Sequence, residues 1–414
     1  MVSYKYNNTI FLQHFQVFLQ RSDILEVLGI IAEFNPLHNG HKYLINEAKK
    51  HGTVICAVSG NFLQRGDTAI FEKRNRAKAA LSCGADLVVE LPVCYSMSTA
   101  QNFALGGVSI LAALGCNTLM FGSECGDVDT LVKTSEILTS DKFAKLLPSY
   151  LEKGLTFAKA RQCAAEDCGA PKGILEGANN NLAVEYITAA RNINCKMAFK
   201  TVKRVGTMHD SDDLSGTFAS ASAIREIIKT DGLSACEKYL PLEAYNIFKT
   251  ADYSDILNID NAIMAVLRSK PKSDFYNLPD LSEGVENKLY SAIKKSAGFD
   301  ELCQSIKVKR YTLARIRRLV LSAFLGIDNR LFMKTPPYVR ILGFNKTGES
   351  FLRQNKEQCP IPVIMRVNEI DGLDDNAHYM FEVENRATDL YALSFKKPFD
   401  CSLEYTAGLI KWDF

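Results

Sequence analysis

The sequence predicts an α/β fold, a doubly wound parallel sheet, followed by a mainly α-helical C-terminal region. Two observations carry this. Short apolar runs alternate with helix-period segments between residues 27 and 122, as β-α-β-α units do. After about residue 230 the pattern turns largely helical. The length of 414 residues is too great for one ordinary domain and suits two. The division expected is an N-terminal extension over 1–24, an α/β domain over 25–230 and a mainly helical domain over 231–414.

Residues 27–32, Val27-Leu28-Gly29-Ile30-Ile31-Ala32, form an apolar run suited to a central parallel strand buried on both faces. A loop over 33–39 leads to a helix over 40–50 with Leu44, Ile45 and Ala48 as its inner stripe. A second strand is expected over 53–58, a helix over 72–83, and a third strand over 86–90 that Leu91-Pro92 stops. A helix over 100–114 precedes a fourth strand over 117–121, which ends at Gly122. Residues 130–195 read as mainly helical, and residues 200–205 as another strand. A polar loop over 209–217 leads to a helix opened by Ser220-Ala221-Ser222-Ala223-Ile224-Arg225. Helices continue to residue 326 with a Pro-containing break at 271–281, and the tail from Tyr338 alternates short strand-like runs with Gly and Pro turns. In the first 24 residues Gln13, His14, Gln16 and Gln20 interrupt the apolar positions, and no small-residue cleavage site follows, so no signal peptide is expected.

Composition excludes several classes. At 47% hydrophobic and 23% charged, the chain is globular rather than disordered or fibrous. The net charge is +2; residues 25–230 hold 22 basic and 21 acidic side chains, and residues 231–414 hold 25 of each. Any nucleic-acid site must therefore be a local patch. The 12 cysteines include no C-x-x-C pair, so neither a zinc ribbon nor a thioredoxin-like site is written here. Scattered single cysteines in a long chain suit reduced thiols and a cytoplasmic location. No run of 18 apolar residues exists to cross a membrane.

The strongest chemical signal is His38-Asn39-Gly40-His41, between the first strand and the first helix. Gly40 lets the backbone approach a ligand closely. The helix N-terminus offers free N–H groups and partial positive charge to phosphate. Two imidazoles three residues apart can donate hydrogen bonds to charge that builds as pyrophosphate leaves. A zinc site is the poorer reading, because no H-E-x-x-H frame and no third ligand accompany the pair. The second signal is Ser220 and Ser222 at a helix start with Arg225 one turn later. Such hydroxyls are first of all helix caps, but with the upstream motif they also suit a triphosphate clamp.

These two motifs, about 180 residues apart, resemble the HIGH-signature nucleotidyltransferase superfamily. The longer string Gly29-Ile30-Ile31-Ala32-Glu33-Phe34-Asn35-Pro36-Leu37-His38-Asn39-Gly40-His41 is similar to the first motif of the bacterial tRNA(Met) cytidine acetate ligase family. So are Ser59-Gly60-Asn61-Phe62-Leu63-Gln64-Arg65-Gly66, Glu90-Leu91-Pro92, Phe121-Gly122-Ser123-Glu124, Asn179-Asn180, the 219–225 segment, and Glu384-Asn385-Arg386-Ala387-Thr388-Asp389. The resemblance runs from about residue 26 to the end. It implies activation of acetate by ATP to acetyl-adenylate with release of pyrophosphate, then acetyl transfer to the exocyclic amine of the wobble cytidine of elongator tRNA(Met). His38 and His41 would be catalytic. The ATP contacts it implies are Ile31, Ala32, Glu33, Phe34, Asn35, Pro36, Leu37, His38, Asn39, Gly40, His41, Lys42, Tyr43, Leu44, Gly122, Asn179 and Arg204, beside Ser220, Ser222 and Arg225 of the clamp. The chain departs from the family after Asn180, where Asn181-Leu182-Ala183 replaces the usual Ile-Leu-Gly. Arg65 and Lys42 are further cations within reach of phosphate or acetate.

Mg²⁺ is expected with ATP, without a metal cage in the sequence, and no zinc, haem or flavin is expected. The tRNA needs its own surface. Residues 307–318 carry six basic side chains and no acid. Leu313, Ile316 and Val320 form the inward stripe of a helix, leaving Arg315 and Arg318 outside, with Lys309 and Arg310 before them. A charge run is usually a solvated face, but Tyr311 and the arginine planes suit a single-stranded loop. Lys73 and Arg74, with Arg76 and Lys78, make a second candidate patch. The rivals are a small-molecule adenylyltransferase of the pantetheine-phosphate or nicotinate-mononucleotide type, and a non-catalytic RNA-binding protein.

Overall fold

The computed structural model describes residues 26–204, 218–281, 284–308, 311–333 and 335–412. The expected extension over 1–24, the polar loop over 209–217, and Lys309 and Arg310 lie outside the described residues. The parallel strands are β1 (Glu26–Ala32), β2 (Gly52–Ser59), β5 (Leu87–Leu91), β6 (Thr118–Ser123) and β7 (Ala198–Lys203). β3 (Phe62–Leu63) and β4 (Asp67–Thr68) form a separate hairpin that periodicity did not predict, since each is two residues long. Three further strands, β8 (Val339–Phe344), β9 (Val363–Ile364) and β10 (Ile410–Lys411), come from the far end of the chain.

The sheet order is β10-β8-β5-β2-β1-β6-β7, with β9 beside β8. From β5 to β7 all pairings are parallel, and the winding reverses between β1 and β6. Ladder pairing between these two joins Leu28 to Thr118 and Gly29 to Leu119, so their carboxyl ends part beyond Gly29. That is the switch point, where doubly wound sheets open a ligand crevice. The loop from Glu33 to His38 and the end of β6 both lie there. β6 runs through Gly122 to Ser123, pairing Gly122 with Val202, so Gly122 is within the strand rather than its terminating turn.

Helices follow the expected order: Asn39–Lys49, Lys73–Ser82 and Ala100–Ala113 between the strands, then four from 128 to 192, then Ala221–Thr230. The region after 231 is mainly helical but is joined to the sheet. β8 lies antiparallel to β5, and β10 parallel to β8. The tail is also less strand-like than expected, for it contains the 18-residue helix Asp375–Ala392. Its buried side includes Glu384 and Thr388 among Ala377, Met380, Phe381 and Tyr391, and those polar positions interrupt the apolar period. No helix among the described residues is long and apolar enough to cross a membrane.

Candidate active site

The Asn39–Lys49 helix begins at the end of the β1 loop, and the two histidines build its first turn. His38 is the N-cap; its Nδ1 accepts the Gly40 N–H at 3.1 Å, and His41 Nδ1 accepts the His38 N–H at 3.3 Å. This is a capping box made of imidazoles, where Ser and Glu usually serve. The two rings stack with centroids 3.8 Å apart, and Phe34 meets His41 edge-on at 5.1 Å. Burial, then the Arg204 and Arg225 charges, push the His38 pKa down to about 3. Burial, His38 and Arg204 hold His41 well below the ordinary value, against a backbone hydrogen bond with Pro36. Both rings are therefore neutral at pH 7. With Nδ1 accepting, the ring proton sits on Nε2, which makes that edge the donor.

The clamp residues arrive from the Ala221–Thr230 helix. Arg225 donates to the Asn35 carbonyl at 2.8 Å and to Ser222 Oγ at 3.1 Å, so it ties this helix to the loop that carries the histidines. Ser220 is the N-cap: its Oγ accepts the Ala223 N–H at 3.1 Å. Its hydroxyl is thus engaged by the backbone, while Ser222 faces the cations. Sequence reasoning grouped Arg76 with a surface patch, yet it is fully buried and holds the crevice loops together. It donates to the carbonyls of Phe71, Glu33 and Gly60, at 2.8, 2.6 and 2.6 Å.

Across the crevice, Phe121-Gly122-Ser123-Glu124 meets Asn179-Asn180. The Glu124 carboxylate accepts from the backbone N–H groups of Asn179 and Asn180 and from the Asn179 side-chain amide, at 3.0, 2.6 and 2.7 Å. Asn180 Oδ1 accepts in return from the Glu124 N–H at 3.0 Å. A carboxylate thus caps the helix Ala178–Asn192, where the macrodipole favours it. Burial pushes the Glu124 pKa up, but these hydrogen bonds outweigh it and hold the group below the usual range. Gly122 has the Arg204 side chain over its open face, 3.5 Å from where a Cβ would stand. The crevice rim is thus Gly122, Arg204, Asn179, the histidines, Ser222 and Arg225.

Several expected site residues lie differently. The Lys42 ammonium pairs with Glu243 at 2.7 Å, and Asn39 donates to the Lys238 carbonyl at 2.9 Å, so both side chains face the Leu242–Phe248 helix and its approach. Leu37 and Phe34 are packed in the core, leaving their backbone to face a ligand. Lys73 is 0% exposed and cannot meet RNA. Its ammonium pairs with Glu90, with Glu384 at 3.1 Å and with Glu404 at 2.6 Å. Arg340 joins Glu404 and Glu90, and Arg74 pairs with Glu72 and Glu404. Among the described residues these three carboxylates, with oxygens within 4.8 Å of one another, are the one grouping with metal-ligand spacing. Lys73 already supplies its cation, so the cluster does not fit Mg²⁺.

The basic helix is Leu313–Leu325, with Ile316 and Val320 buried as expected. Arg318 is not free on its outer face: its side chain is 14% exposed and bonds to the Gln64 carbonyl and Asp280. Arg315 is 28% exposed, pairs with Asp280, and lies over the Tyr311 ring at 4.5 Å.

Comparison with known proteins agrees with this architecture. The family model described as HIGH Nucleotidyl Transferase matches residues 25–403. A Thermoanaerobacter sp. (strain X514) protein named tRNA(Met) cytidine acetate ligase is 39% identical, over 93% of this chain and 99% of its own. A Caldanaerobacter subterraneus protein of the same name is 38% identical, over 94% and 100%. A crystal structure of Thermotoga maritima TmcAL bound with alpha-thio ATP superposes with a TM-score of 0.84 at 28% identity, covering 94% of this chain and 100% of that one. The apo form gives 0.86 at 29% identity over the same shares.

Proposed function

The chain belongs to the tRNA(Met) cytidine acetate ligase family, ATP-dependent ligases among the HIGH nucleotidyl transferases, and from that membership we propose a two-step reaction at the His38–His41 site. In the first step an acetate oxygen attacks the α-phosphorus of ATP. The new O–P bond forms as the bond to the β-phosphate breaks, and pyrophosphate leaves with the electron pair. In the second step the exocyclic amine of the wobble cytidine of elongator tRNA(Met) attacks the acetyl carbonyl carbon. The C–N bond forms, AMP departs, and the amine loses one proton.

The observation that carries the reading is the stacked, neutral imidazole pair on the first turn of the Asn39–Lys49 helix, at the switch point of the sheet. Neutral rings donate N–H groups to the developing charge without giving up a proton. Arg204 lies close enough to bias both rings and Arg225 to bias His38, and the two cations can balance the leaving diphosphate. Acetate is small and weakly nucleophilic, so holding it in line with the α-phosphorus supplies much of the rate. The backbone of Ile31 to Leu44, with Gly122, Asn179, Arg204, Ser222 and Arg225, surrounds the nucleotide in this proposal. Mg²⁺ comes with ATP as part of the substrate. The wobble base must be splayed from its loop to reach the crevice. Arg315 on Tyr311 offers a stacking surface for that loop, and the protein works in the cytoplasm.

Residues 1–24 precede the family match and are dispensable in this proposal; a chain lacking them is expected to retain both steps. The decisive experiment is mass analysis of bulk tRNA after incubation with ATP and labelled acetate. Label on cytidine is expected. Pyrophosphate release that ignores acetate but responds to a mononucleotide acceptor would replace the ligase by a small-molecule adenylyltransferase.

A further inference from the structure

The β3–β4 hairpin brings one more cation to the crevice. Its turn, Gln64-Arg65-Gly66, places Arg65 Nη1 3.5 Å from Ser222 Oγ, the same oxygen that accepts from Arg225 at 3.1 Å. Arg65 is exposed, and among the described residues neither guanidinium bonds to a carboxylate. Two guanidinium groups converging on one neutral hydroxyl repel each other until an oxyanion comes between them.

The turn that carries Arg65 is held from behind. Arg317 Nε donates to the Gly66 carbonyl at 2.8 Å, and Arg318 Nη1 donates to the Gln64 carbonyl at 3.0 Å. These are the carbonyls on either side of Arg65. Gly66 has φ +71°, and a Cβ there would lie 2.5 Å from Arg317 Cβ and 2.7 Å from the Arg318 nitrogen. The turn therefore rests directly on the Leu313–Leu325 helix. Asp300 holds Arg317 at 2.6 Å, and Asp280 holds Arg318 at 3.3 Å. On the crevice side the Gln64 N–H donates to Glu33 at 3.0 Å.

We propose that Arg65 is a third ligand of the ATP β- and γ-phosphates, beside Ser222 and Arg225, and that Arg317 and Arg318 are positioning residues that hold its turn in place. The proposal rests on the ATP-activation reading above and deepens it. Phosphate is favoured over acetate by position. Arg65 meets Ser222 on the first turn of the Ala221–Thr230 helix, where free N–H groups and the macrodipole attract phosphate. In-line attack puts acetate on the opposite side of the α-phosphorus from the departing pyrophosphate. The helix expected to serve RNA thereby acts on the activation step as well.

The test is calorimetric binding of ATP and of AMP to full-length wild type, Arg65→Ala, Arg65→Lys, Arg318→Ala and Gly66→Ala, with acetate KM from pyrophosphate release. Arg65→Ala should weaken ATP by about 10- to 100-fold, the range for a hydrogen bond to a charged group, and leave AMP unchanged. Arg65→Lys should recover part of the loss. Arg318→Ala and Gly66→Ala should lower ATP affinity less, again sparing AMP, and retained AMP binding reports an intact fold. An Arg65→Ala protein in which ATP and AMP affinities fall together, acetate KM rises alone, or nothing changes overturns the proposal. So does a wild type that binds AMP as tightly as ATP. If wild type cleaves ATP without acetate, the ligase reading fails while the ATP-to-AMP ratio still judges Arg65.

Discussion

His38 and His41 lie ring on ring, with centroids 3.8 Å apart and planes 24° from parallel. Two imidazolium ions could not sit this way beside Arg204 and Arg225 without strong repulsion. Burial removes the conflict by keeping both rings neutral. The pair is then a rigid donor unit, fixed by its own capping bonds, rather than a pair of general acids.

Removing a donor should therefore slow adenylate formation more than it weakens nucleotide binding. His41→Ala is expected to cut acetate-dependent pyrophosphate release by about 10²- to 10³-fold. His38→Ala should lose a similar factor and also about 1 kcal/mol of helix stability, because His38 Nδ1 caps the Gly40 N–H. His38→Asn keeps a capping side chain and should separate the two losses. Rate and thermal melting measured on the same samples decide it; a full-rate His41→Ala protein would remove the donor role.

Neutrality has a pH signature. His38 takes up its proton near pH 6.5 when unfolded but near 3 when folded, so stability drops as pH falls through that window. The slope is at most about 1.4 kcal/mol per pH unit for each such histidine. Glu384 acts in the opposite sense. Burial, then Glu90, push it up to about 7, against Lys73, so it favours the folded state as pH falls from 7 towards 4.5. The difference between proteins isolates the histidine: His38→Asn should lose less stability than wild type between pH 7 and 5, measured by urea unfolding. Equal losses would mean that His38 is protonated in the folded chain.

Much of the candidate site's geometry was legible in the sequence because it is local. His38, Gly40 and His41 share one helical turn, and an apolar run plus a following helix locates the switch point. Glu124 beside Asn179 was not derivable from spacing, since 55 residues separate them and the packing of the Ala178–Asn192 helix on β6 brings them together. Lys73 misled for a related reason. A lysine in a run with Arg74, Arg76 and Lys78 reads as surface, and its partners Glu384 and Glu404 arrive from more than 300 residues away. The tail helix was missed because buried Glu384 and Thr388 interrupt its apolar stripe.

Lys73→Met should destabilise the protein by about 3–5 kcal/mol, because Glu90, Glu384 and Glu404 would remain buried without their shared ammonium. The cluster joins the start of the Lys73–Ser82 helix and the β5 end to the two tail helices, Asp375–Ala392 and Leu403–Thr406. Its loss should first expose the tail, read as faster amide exchange over residues 375–406. A Lys73→Met protein of unchanged melting temperature but reduced tRNA affinity would restore Lys73 to an RNA surface.

Arg315 is the cleaner probe of tRNA contact than Arg318. Arg318 bonds to the Gln64 carbonyl, so its removal disturbs the turn over the crevice and confounds any RNA measurement. Arg315 shares Asp280 with Arg318 but, among the described residues, makes no bond of its own to that turn. Its guanidinium stacks on Tyr311 and is oriented by Asp280, a geometry in which one face of the plane stays available to a base or phosphate. Arg315→Ala is expected to weaken tRNA binding by about 5- to 100-fold if a base stacks there, and to lower the slope of log affinity against log salt by about 0.7 if a single-stranded phosphate is neutralised. ATP cleavage without tRNA should be unchanged. Binding of tRNA at two salt concentrations reads both effects. An Arg315→Ala protein with wild-type affinity at both salts would place the anticodon loop on another face, and the Tyr311–Arg315 stack would then serve only to hold Asp280.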